Sequence, residues 1–430
     1  MRTLHLLFLL AACSFDKSMP GETPDAQSPD GAVSGCPAAK AGAACVLRLY
    51  DQAASCEAAA VAELARELDL RAKLGPLWAD GRALFRTDAP VAIAGEFNAW
   101  STTALVSKPF CDSNLVLAVG PVARGHWPYK LASGAQLPAG EQWSLDPNNP
   151  AFAYDDFVGN PDDRNSVLNT PDSGRGTLVN LERACSAALG NCRNVTAYFP
   201  PAYDALENVA TTYPVLFMHD GQNVWDDHDC CFGHTGWEVN VALDTEIAAS
   251  RVAPVVVIAA DHSAARNDEY GLSQTKLAAF VAFQVSELQP KALAQVRWNG
   301  ERVATAGSSL GGLVAMHLVL QHSQTYFAGA ALSGAFWPGM ANGTALRDQL
   351  PALGKKSLGI YLDHGGNVAT NADGARDTVE VRDLLLGMGW SASCAMTPDS
   401  LCYMTAPGAT HDELAWKART PQFLRFLFPR

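Results

Sequence analysis

The sequence predicts an α/β protein in which a doubly wound, mainly parallel sheet follows a small all-β sandwich. Between residues 176 and 430, nearly continuous apolar runs at 214–218 and 254–260 alternate with helical stretches. Such runs are typical of parallel strands that are buried on both faces. Similar runs at 302–306, 328–332 and 358–362 continue the series. Residues 88–168 instead carry short alternating runs separated by Gly, Pro and Asn, which indicates antiparallel strands.

Length and composition favour more than one folded unit and argue against nucleic-acid binding. The chain has 430 residues, 48% of them hydrophobic and 17% charged, which is sufficient for a substantial core. The 31 basic and 44 acidic side chains leave a formal net charge of −13. An acidic surface repels phosphate backbones, and the sequence has no basic run with interleaved aromatics. Nucleic acid is therefore not a predicted partner.

The first residues predict export. Arg2 precedes an apolar run at 6–12 that is too short to cross a bilayer, which needs about 20 residues. The run ends in Leu-Ala-Ala-Cys at 10–13, which resembles the lipobox of bacterial lipoproteins. This resemblance implies a signal peptide at 1–12 and a lipidated Cys13 that attaches the chain to a bacterial membrane, at the outer membrane or cell surface. Residues 13–35, rich in Pro, Gly, Ser and Asp, are predicted to form a disordered tether.

The cysteine count agrees with export. Ten of the eleven cysteines remain when Cys13 is set aside, an even number that favours disulfides. Cys185 with Cys192 and Cys394 with Cys402 are close enough in sequence to close small loops. The connectivity is open for Cys36, Cys45, Cys56, Cys111, Cys230 and Cys231.

Two segments precede the α/β region. Residues 36–85 are predicted to be a helical, cysteine-containing segment with one helix from Asp51 to Leu74, ended by Gly75-Pro76. Residues 86–170 contain VAIAGEFNAWS, WPYKLASG, WSLDPNNP and NSVL, which resemble the immunoglobulin-like module of glycan-binding domains. In that resemblance Trp100, Trp127 and Trp143 are candidates to stack on sugars, although packing in the core of a small sandwich is the favoured interpretation for any single one of them.

The motif that carries chemistry is Gly-Ser-Ser-Leu-Gly at 307–311, a G-x-S-x-G between a strand-like and a helix-like run. A sharp strand-to-helix turn needs small residues, and it lifts Ser309 above the sheet at the positive end of the following helix. This pattern resembles the nucleophile elbow of α/β-hydrolases, so the predicted nucleophile is Ser309. An oxyanion hole needs two backbone N–H groups. We assign them to Leu310, which follows the nucleophile, and to Gln222, in the loop after the strand at 214–218.

A serine nucleophile needs a histidine base and a carboxylate, which in this fold follow in the order Ser, acid, His. His317 and His322 lie on or just beyond the helix that begins at the elbow, and His364 directly follows a strand. His411 lies in a loop before the last helix, where the fold places its base, and is the predicted base. For the acid, Asp363, Asp373 and Asp377 are all open.

The α/β segments resemble an esterase family that includes esterase D, enterochelin esterases, feruloyl esterases and mycolyltransferases. The strings that carry the resemblance cover nearly all of residues 176–430: RNVTAYFPPAYDA, YPVLFMHDGQNVWDD, AGSSLGGLVAMHLVL, LSGAFW, IYLDHGGN and APGATHDELAWKARTPQFLRFLF. The resemblance implies Ser309 as nucleophile and His411, in a G-x-x-H-x-E-x-x-W pattern, as base. It favours Asp373 as the acid, although the loop GGNVATNAD departs from the compact turn of many members. It also matches Trp337 to an aromatic near the pocket.

A dense group of metal-type side chains lies at 226–234: Asp226, Asp227, His228, Asp229, Cys230, Cys231 and His234. Its spacing matches no closed zinc site, and its cysteines favour disulfides in an exported protein. We therefore predict neither a metal nor a cofactor. The predicted activity is serine-dependent hydrolysis of a small-molecule or glycan-linked ester. The two substrate classes considered are polysaccharide-linked esters and siderophore esters. The alternatives are an inactive surface binding lipoprotein of the same fold and an acyltransferase.

Overall fold

The α/β sheet is built from strands that the apolar runs predicted. The computed structural model describes residues 35–133, 143–154, 164–225 and 236–430. Cys13, the segment 1–34 and the group at 226–234 lie outside these described residues. The described strands, in chain order, are β1 (Leu77–Ala79), β2 (Arg82–Thr87), β3 (Ala92–Gly95), β4 (Lys108–Pro109), β5 (Val116–Pro121), β6 (His126–Ala132), β7 (Trp143–Ser144), β8 (Ala151–Tyr154), β9 (Arg164–Asn169), β10 (Thr177–Ser186), β11 (Asn191–Phe199), β12 (Val215–Met218), β13 (Val256–Ala260), β14 (Val303–Ser308), β15 (Tyr326–Leu332), β16 (Gly359–His364), β17 (Ser391–Ala392) and β18 (Ser400–Thr405).

The helices alternate with the strands in the C-terminal two thirds of the chain. They are α1 (Ala43–Ala53), α2 (Ala58–Asp69), α3 (Gly221–Val224), α4 (Val239–Ala248), α5 (Gln274–Phe283), α6 (Gln289–Leu293), α7 (Ser309–Gln321), α8 (Leu346–Leu353), α9 (Ala375–Gly387) and α10 (Glu413–Leu427). Short 3₁₀ helices cover Ala39–Gly42, Glu96–Asn98, Leu206–Asn208, Met340–Asn342, Val368–Thr370 and Ala372–Gly374, and π-helical turns cover Asp268–Leu272 and Gln284–Leu288.

Six strands form the parallel core of the large sheet, in the order β18-β16-β15-β14-β12-β13. The hairpin of β10 and β11 extends it antiparallel to β13. Side chains of the sheet alternate between two apolar clusters: α5, α7, α8 and α9 cover one face, and α4 and α10 cover the other. This arrangement confirms the predicted doubly wound α/β sheet. Because β12 lies beside β14, the loops that follow both strands meet at one edge.

The N-terminal strands form two antiparallel layers with a shared core. The sheet β1-β2-β5-β4 packs against β3, β6 and β9 through a cluster centred on Phe85, Ile93 and Tyr129. The strands begin at Leu77, ahead of the predicted start at residue 86. Trp100 is 38% exposed and lies edge-on to Trp143, with ring centroids 6.1 Å apart. Sugar stacking by these rings stays a prediction.

The prediction of one helix from Asp51 to Leu74 is wrong, because the chain forms α1 and α2 with a turn between them. In that turn Cys56 has a positive φ of 60°, which no α-helix contains. Cys56 is bonded to Cys111, so the disulfide anchors the turn to the loop before β5. Both helices pack on the outer face of the four-stranded sheet. Composition alone did not reveal this break, since Ala54-Ser55 is compatible with a helix.

Four disulfides occur among the described residues. Cys185–Cys192 and Cys394–Cys402 confirm the predicted small loops, whereas Cys36–Cys45 and Cys56–Cys111 supply pairings that were open. Disulfides on this scale are typical of a protein exported to an oxidising compartment. Within the part of the chain that the structure covers, no helix is long and apolar enough to cross a membrane.

Removing the Cys56–Cys111 disulfide is expected to cost more stability than removing Cys394–Cys402. The first closes a loop of 55 residues and the second a loop of 8. Loop-closure entropy then predicts losses of about 4 and about 2.5 kcal/mol in the free energy of unfolding. Denaturant titration of the two Cys→Ala double variants measures this difference. Equal losses, or a larger loss for the shorter loop, would contradict the entropic account.

Candidate active site

Ser309 lies at a sharp turn between β14 and α7. It has a positive φ of 52°, a conformation that strains any residue with a Cβ. Small neighbours make the turn possible: a Cβ on Gly307 would lie 2.6 Å from the carbonyl carbon of Gly311. The backbone is held from the next strand along, because the Ala335 N–H donates to the Ser309 carbonyl at 2.9 Å. The hydroxyl therefore stands at the carboxyl edge of the sheet, at the N-terminus of α7.

His411 reaches this serine from the loop before α10. Its Nε2 lies 2.9 Å from Ser309 Oγ, and its Nδ1 lies 2.6 Å from Asp373 Oδ1. The loop is fixed directly after the histidine, where the Asp412 carboxylate caps α10 by accepting the Ala415 N–H at 3.0 Å. The Trp416 ring packs edge-on against the imidazole, 5.0 Å between centroids. The side chain of His411 is 41% exposed and that of Asp373 is 2% exposed, so the imidazole is accessible to solvent and the carboxylate behind it is buried.

Asp373 is held as a carboxylate by hydrogen bonds. Burial raises its pKa, but donors from His411, the Gly365 N–H and the Ser333 hydroxyl outweigh burial and leave the pKa below its usual value. The Ser333 Oγ lies 2.7 Å from Asp373 Oδ2. Asp373 thus accepts on both oxygens and stays ionised at neutral pH.

The other two acid candidates lie elsewhere. Asp363 is buried at the end of β16 and contacts Arg419 at 3.2 Å and the Tyr361 hydroxyl at 3.1 Å. Burial raises the pKa of Asp363 to about 6, and the Arg419 charge opposes that rise. Asp377 bonds to the Asn371 side chain at 3.1 Å, which braces the loop that carries Asp373. The structure thus brings together Ser309, His411 and Asp373.

Two of the remaining histidine candidates, His317 and His364, have other side-chain partners. His317 is buried in α7 beside Gln321, and burial lowers its pKa to about 4. His322 is the residue that ends α7. His364 Nε2 lies 2.6 Å from the Tyr403 hydroxyl.

The two predicted oxyanion donors lie on adjoining segments. Leu310 is in the first turn of α7, where backbone N–H groups have no partner within the helix. Gln222 is in α3, and its side-chain Oε1 accepts the His262 N–H at 2.9 Å. The loop before α3 touches the elbow, since a Cβ on Gly311 would lie 3.0 Å from Asp220 Oδ2. Asp220 is held by Arg266 in a bidentate ion pair of 2.6 and 2.8 Å.

Trp337 is half exposed and lies two residues beyond Ala335, which bonds to the Ser309 backbone.

Three further residues around the acid were not singled out from the sequence: Ser333, Arg419 and Trp416. Only the tryptophan had a signal, as the last position of the G-x-x-H-x-E-x-x-W pattern. Among the described residues no group of three metal-type ligands is close enough to hold an ion.

Comparison with known proteins places the chain in a family. A family model described as "Putative esterase" matches residues 186–423. Among solved structures, the chain is similar to a ferulic acid esterase (17% identity, TM-score 0.45, covering 59% of this chain and 98% of that one). It is also similar to the enterobactin esterase FES from Shigella flexneri (18%, 0.44, 84% and 98%) and to the BES protein from Bacillus cereus (16%, 0.45, 61% and 97%). No curated protein sequence matches the chain.

Proposed function

The chain belongs to this esterase family, and on that premise we propose that it is a serine carboxylic-ester hydrolase acting through an acyl-enzyme. The observation that carries the proposal is the unbroken set of contacts from Ser309 Oγ through the His411 imidazole to Asp373. A serine hydroxyl is a weak nucleophile unless a positioned base takes its proton. These three side chains are the ones required.

We assign one role to each ring nitrogen of His411. The Nδ1–H group donates a hydrogen bond to the Asp373 carboxylate, so Nε2 carries the lone pair that receives the Ser309 proton. The Ser309 oxygen then attacks the ester carbonyl carbon, and the carbonyl oxygen becomes an oxyanion held by the Leu310 and Gln222 N–H groups. As the intermediate collapses, the alcohol leaves with the proton from Nε2. A water molecule, deprotonated by the same nitrogen, attacks the acyl-enzyme and forms a second tetrahedral intermediate. When this intermediate collapses, the acid is released and the proton on Nε2 returns to Ser309 Oγ.

The proposed substrate is a small-molecule or glycan-linked ester, and a polysaccharide-linked ester is favoured by export together with the N-terminal sandwich. A panel of feruloyl, acetyl and siderophore-type esters would distinguish these classes. An acyltransferase would instead pass the acyl group to an added alcohol in preference to water, which product analysis reveals. A binding protein would show no turnover with any ester.

Trp337→Ala is expected to raise KM for aryl esters about fivefold to tenfold while kcat changes little. The exposed indole belongs to a residue two positions beyond Ala335, whose N–H bonds to the Ser309 carbonyl. We therefore expect it to supply apolar contact that the substrate makes equally in the ground and transition states. Steady-state kinetics with naphthyl and acetyl esters measures the effect, which should be smaller for acetyl. The control is Leu70→Ala, which removes an exposed apolar side chain beyond the end of α2. An unchanged KM would remove Trp337 from the proposed pocket.

We also propose that Cys13 carries lipid, on the strength of the Leu-Ala-Ala-Cys sequence. Cells that express the full chain should incorporate labelled palmitate into it, and Cys13→Ala should abolish the label and release the protein from membranes. Palmitate incorporation that persists in Cys13→Ala would reject the anchor without affecting the esterase proposal.

A further inference from the structure

A buried polar cluster lies directly behind Asp373, and the sequence assigned no role to the serine at its centre or to the arginine beside it. It consists of Ser333, Arg419, Asp363 and Trp416, here called the Ser333 cluster. Ser333 is fully buried just beyond β15 and has a positive φ of 47°, which costs energy in a residue with a Cβ. Because strain of this kind persists only when surrounding contacts hold it, the contacts of the hydroxyl are informative.

The direction of each hydrogen bond at Ser333 Oγ follows from counting protons. Arg419 Nη2 lies 2.8 Å away and Trp416 Nε1 lies 3.1 Å away. A guanidinium and an indole N–H only donate, so both bonds use the oxygen as an acceptor. The single hydroxyl proton is left to donate, and it meets Asp373 Oδ2 at 2.7 Å. The hydroxyl therefore has one orientation, aimed at the carboxylate.

Asp363 keeps the nearest cation from competing with this arrangement. Arg419 Nη1 lies 3.2 Å from Asp363 Oδ1 but 3.7 Å from Asp373 Oδ2. Asp363 Oδ1 also accepts the Ser333 backbone N–H at 3.1 Å. The guanidinium thus pairs more closely with Asp363 than with Asp373, and the Ser333 hydroxyl, at 2.7 Å, is nearer to Asp373 Oδ2 than Arg419 is.

We propose that Ser333 is a positioning residue for the acid. Its hydroxyl holds the Asp373 carboxylate so that Oδ1 faces His411, and the hydrogen bond disperses part of the negative charge of that carboxylate. This inference rests on the proposed function. Ser333 touches neither Ser309 Oγ nor the imidazole in the contacts above, so it acts through Asp373. Its backbone reinforces the role, because Ala335, two residues on, bonds to the Ser309 carbonyl.

The proposal predicts a change in pH dependence. Without the Ser333 donor, the negative charge on Asp373 is less dispersed and attracts a protonated His411 more strongly. The acid limb of the kcat/KM profile, which reports protonation of the base, should then move to higher pH. A Ser333 variant leaves the other charged or titratable groups around Asp373 and His411 unchanged. These groups are Asp412, Glu413 and Arg419 from α10 and the turn before it, Asp363 and His364 from β16, Arg376 and Asp377 from α9, and Asp220 with Arg266 beside the elbow.

The test uses Ser333→Ala and Ser333→Gly with an aryl ester. Both remove the hydroxyl, and Gly also removes the backbone strain, so one folded variant suffices. We expect kcat to fall about 10- to 100-fold, KM to change less than about threefold, and the acid limb to rise by roughly half a pH unit. The matched control is Ser400→Ala, which removes another fully buried hydroxyl. Ser400 is the first residue of β18, at the end of the sheet opposite to the site, and its hydroxyl donates to the Thr397 carbonyl at 2.8 Å.

If the Ser333 variants had the same kcat and the same pH profile as the parent protein, the inference would be overturned. A fall in kcat with the acid limb unmoved, as for any loss of packing, would overturn it as well. In both cases Ser309-dependent hydrolysis by the parent would leave the proposed function intact. A parent without such hydrolysis would overturn the proposed function, and this inference with it.

Discussion

Ser309→Ala is expected to lower kcat for ester hydrolysis by about 10⁵- to 10⁶-fold. The variant has no oxygen to attack the carbonyl, so the acyl-enzyme cannot form. Alanine is as compatible with the φ of 52° as serine is, and the hydroxyl's contact is with His411 alone among those described above. Thermal unfolding should therefore match the parent, and the loss should lie in kcat.

The control for this prediction is Ser308→Ala. Ser308 ends β14, is buried, and precedes the nucleophile directly, so the two variants remove the same group from neighbouring positions. Ser308→Ala is expected to keep activity within about tenfold of the parent. Equal losses in the two variants would point to a damaged turn instead of a missing nucleophile.

Asp373→Asn is expected to lower kcat by about 10⁴-fold with little change in stability. The amide is isosteric with the carboxylate, but it no longer carries the charge that stabilises the imidazolium. If its NH₂ group faces Nδ1, His411 must present the wrong tautomer to Ser309. KM should change little, because Asp373 is buried behind the histidine and away from the substrate.

Two further variants identify the acid. Asp377→Asn is the matched control, since Asp377 pairs with Asn371 in the same loop and an amide can keep that bond; activity should stay near that of the parent. Asp363→Asn removes the carboxylate that holds Arg419 and should cost less than about tenfold in kcat together with some stability. A 10⁴-fold loss in Asp363→Asn, with Asp373→Asn active, would assign the acid to Asp363.

The parts of the site that the sequence predicted are those with local causes. Ser309 was identified because the turn needs small residues at fixed offsets. The structure agrees, since a Cβ on Gly307 would lie 2.6 Å from the carbonyl carbon of Gly311. The apolar runs predicted the parallel strands, since strands buried on both faces need apolar residues at every position.

The parts that were not predicted depend on contacts between distant residues. Asp363 lies at the end of β16, and Asp373 and Asp377 follow that strand in the chain. Only the path of the loop through Asn371 decides which carboxylate meets His411. Ser333 and Arg419 are separated by 86 positions, and nothing local marks either of them. The turn between α1 and α2 likewise depends on Cys111, which is 55 residues from Cys56.

The most direct test of the central claim is covalent labelling of the exported chain with a fluorophosphonate probe, followed by peptide mapping. Such probes react with a serine only where a base has activated it. We expect the label on the peptide that contains Ser309, no label in Ser309→Ala, and strongly slowed labelling in His411→Ala. A folded parent protein that takes up no label, or a label that persists in Ser309→Ala, would contradict the account of Ser309 as an activated nucleophile.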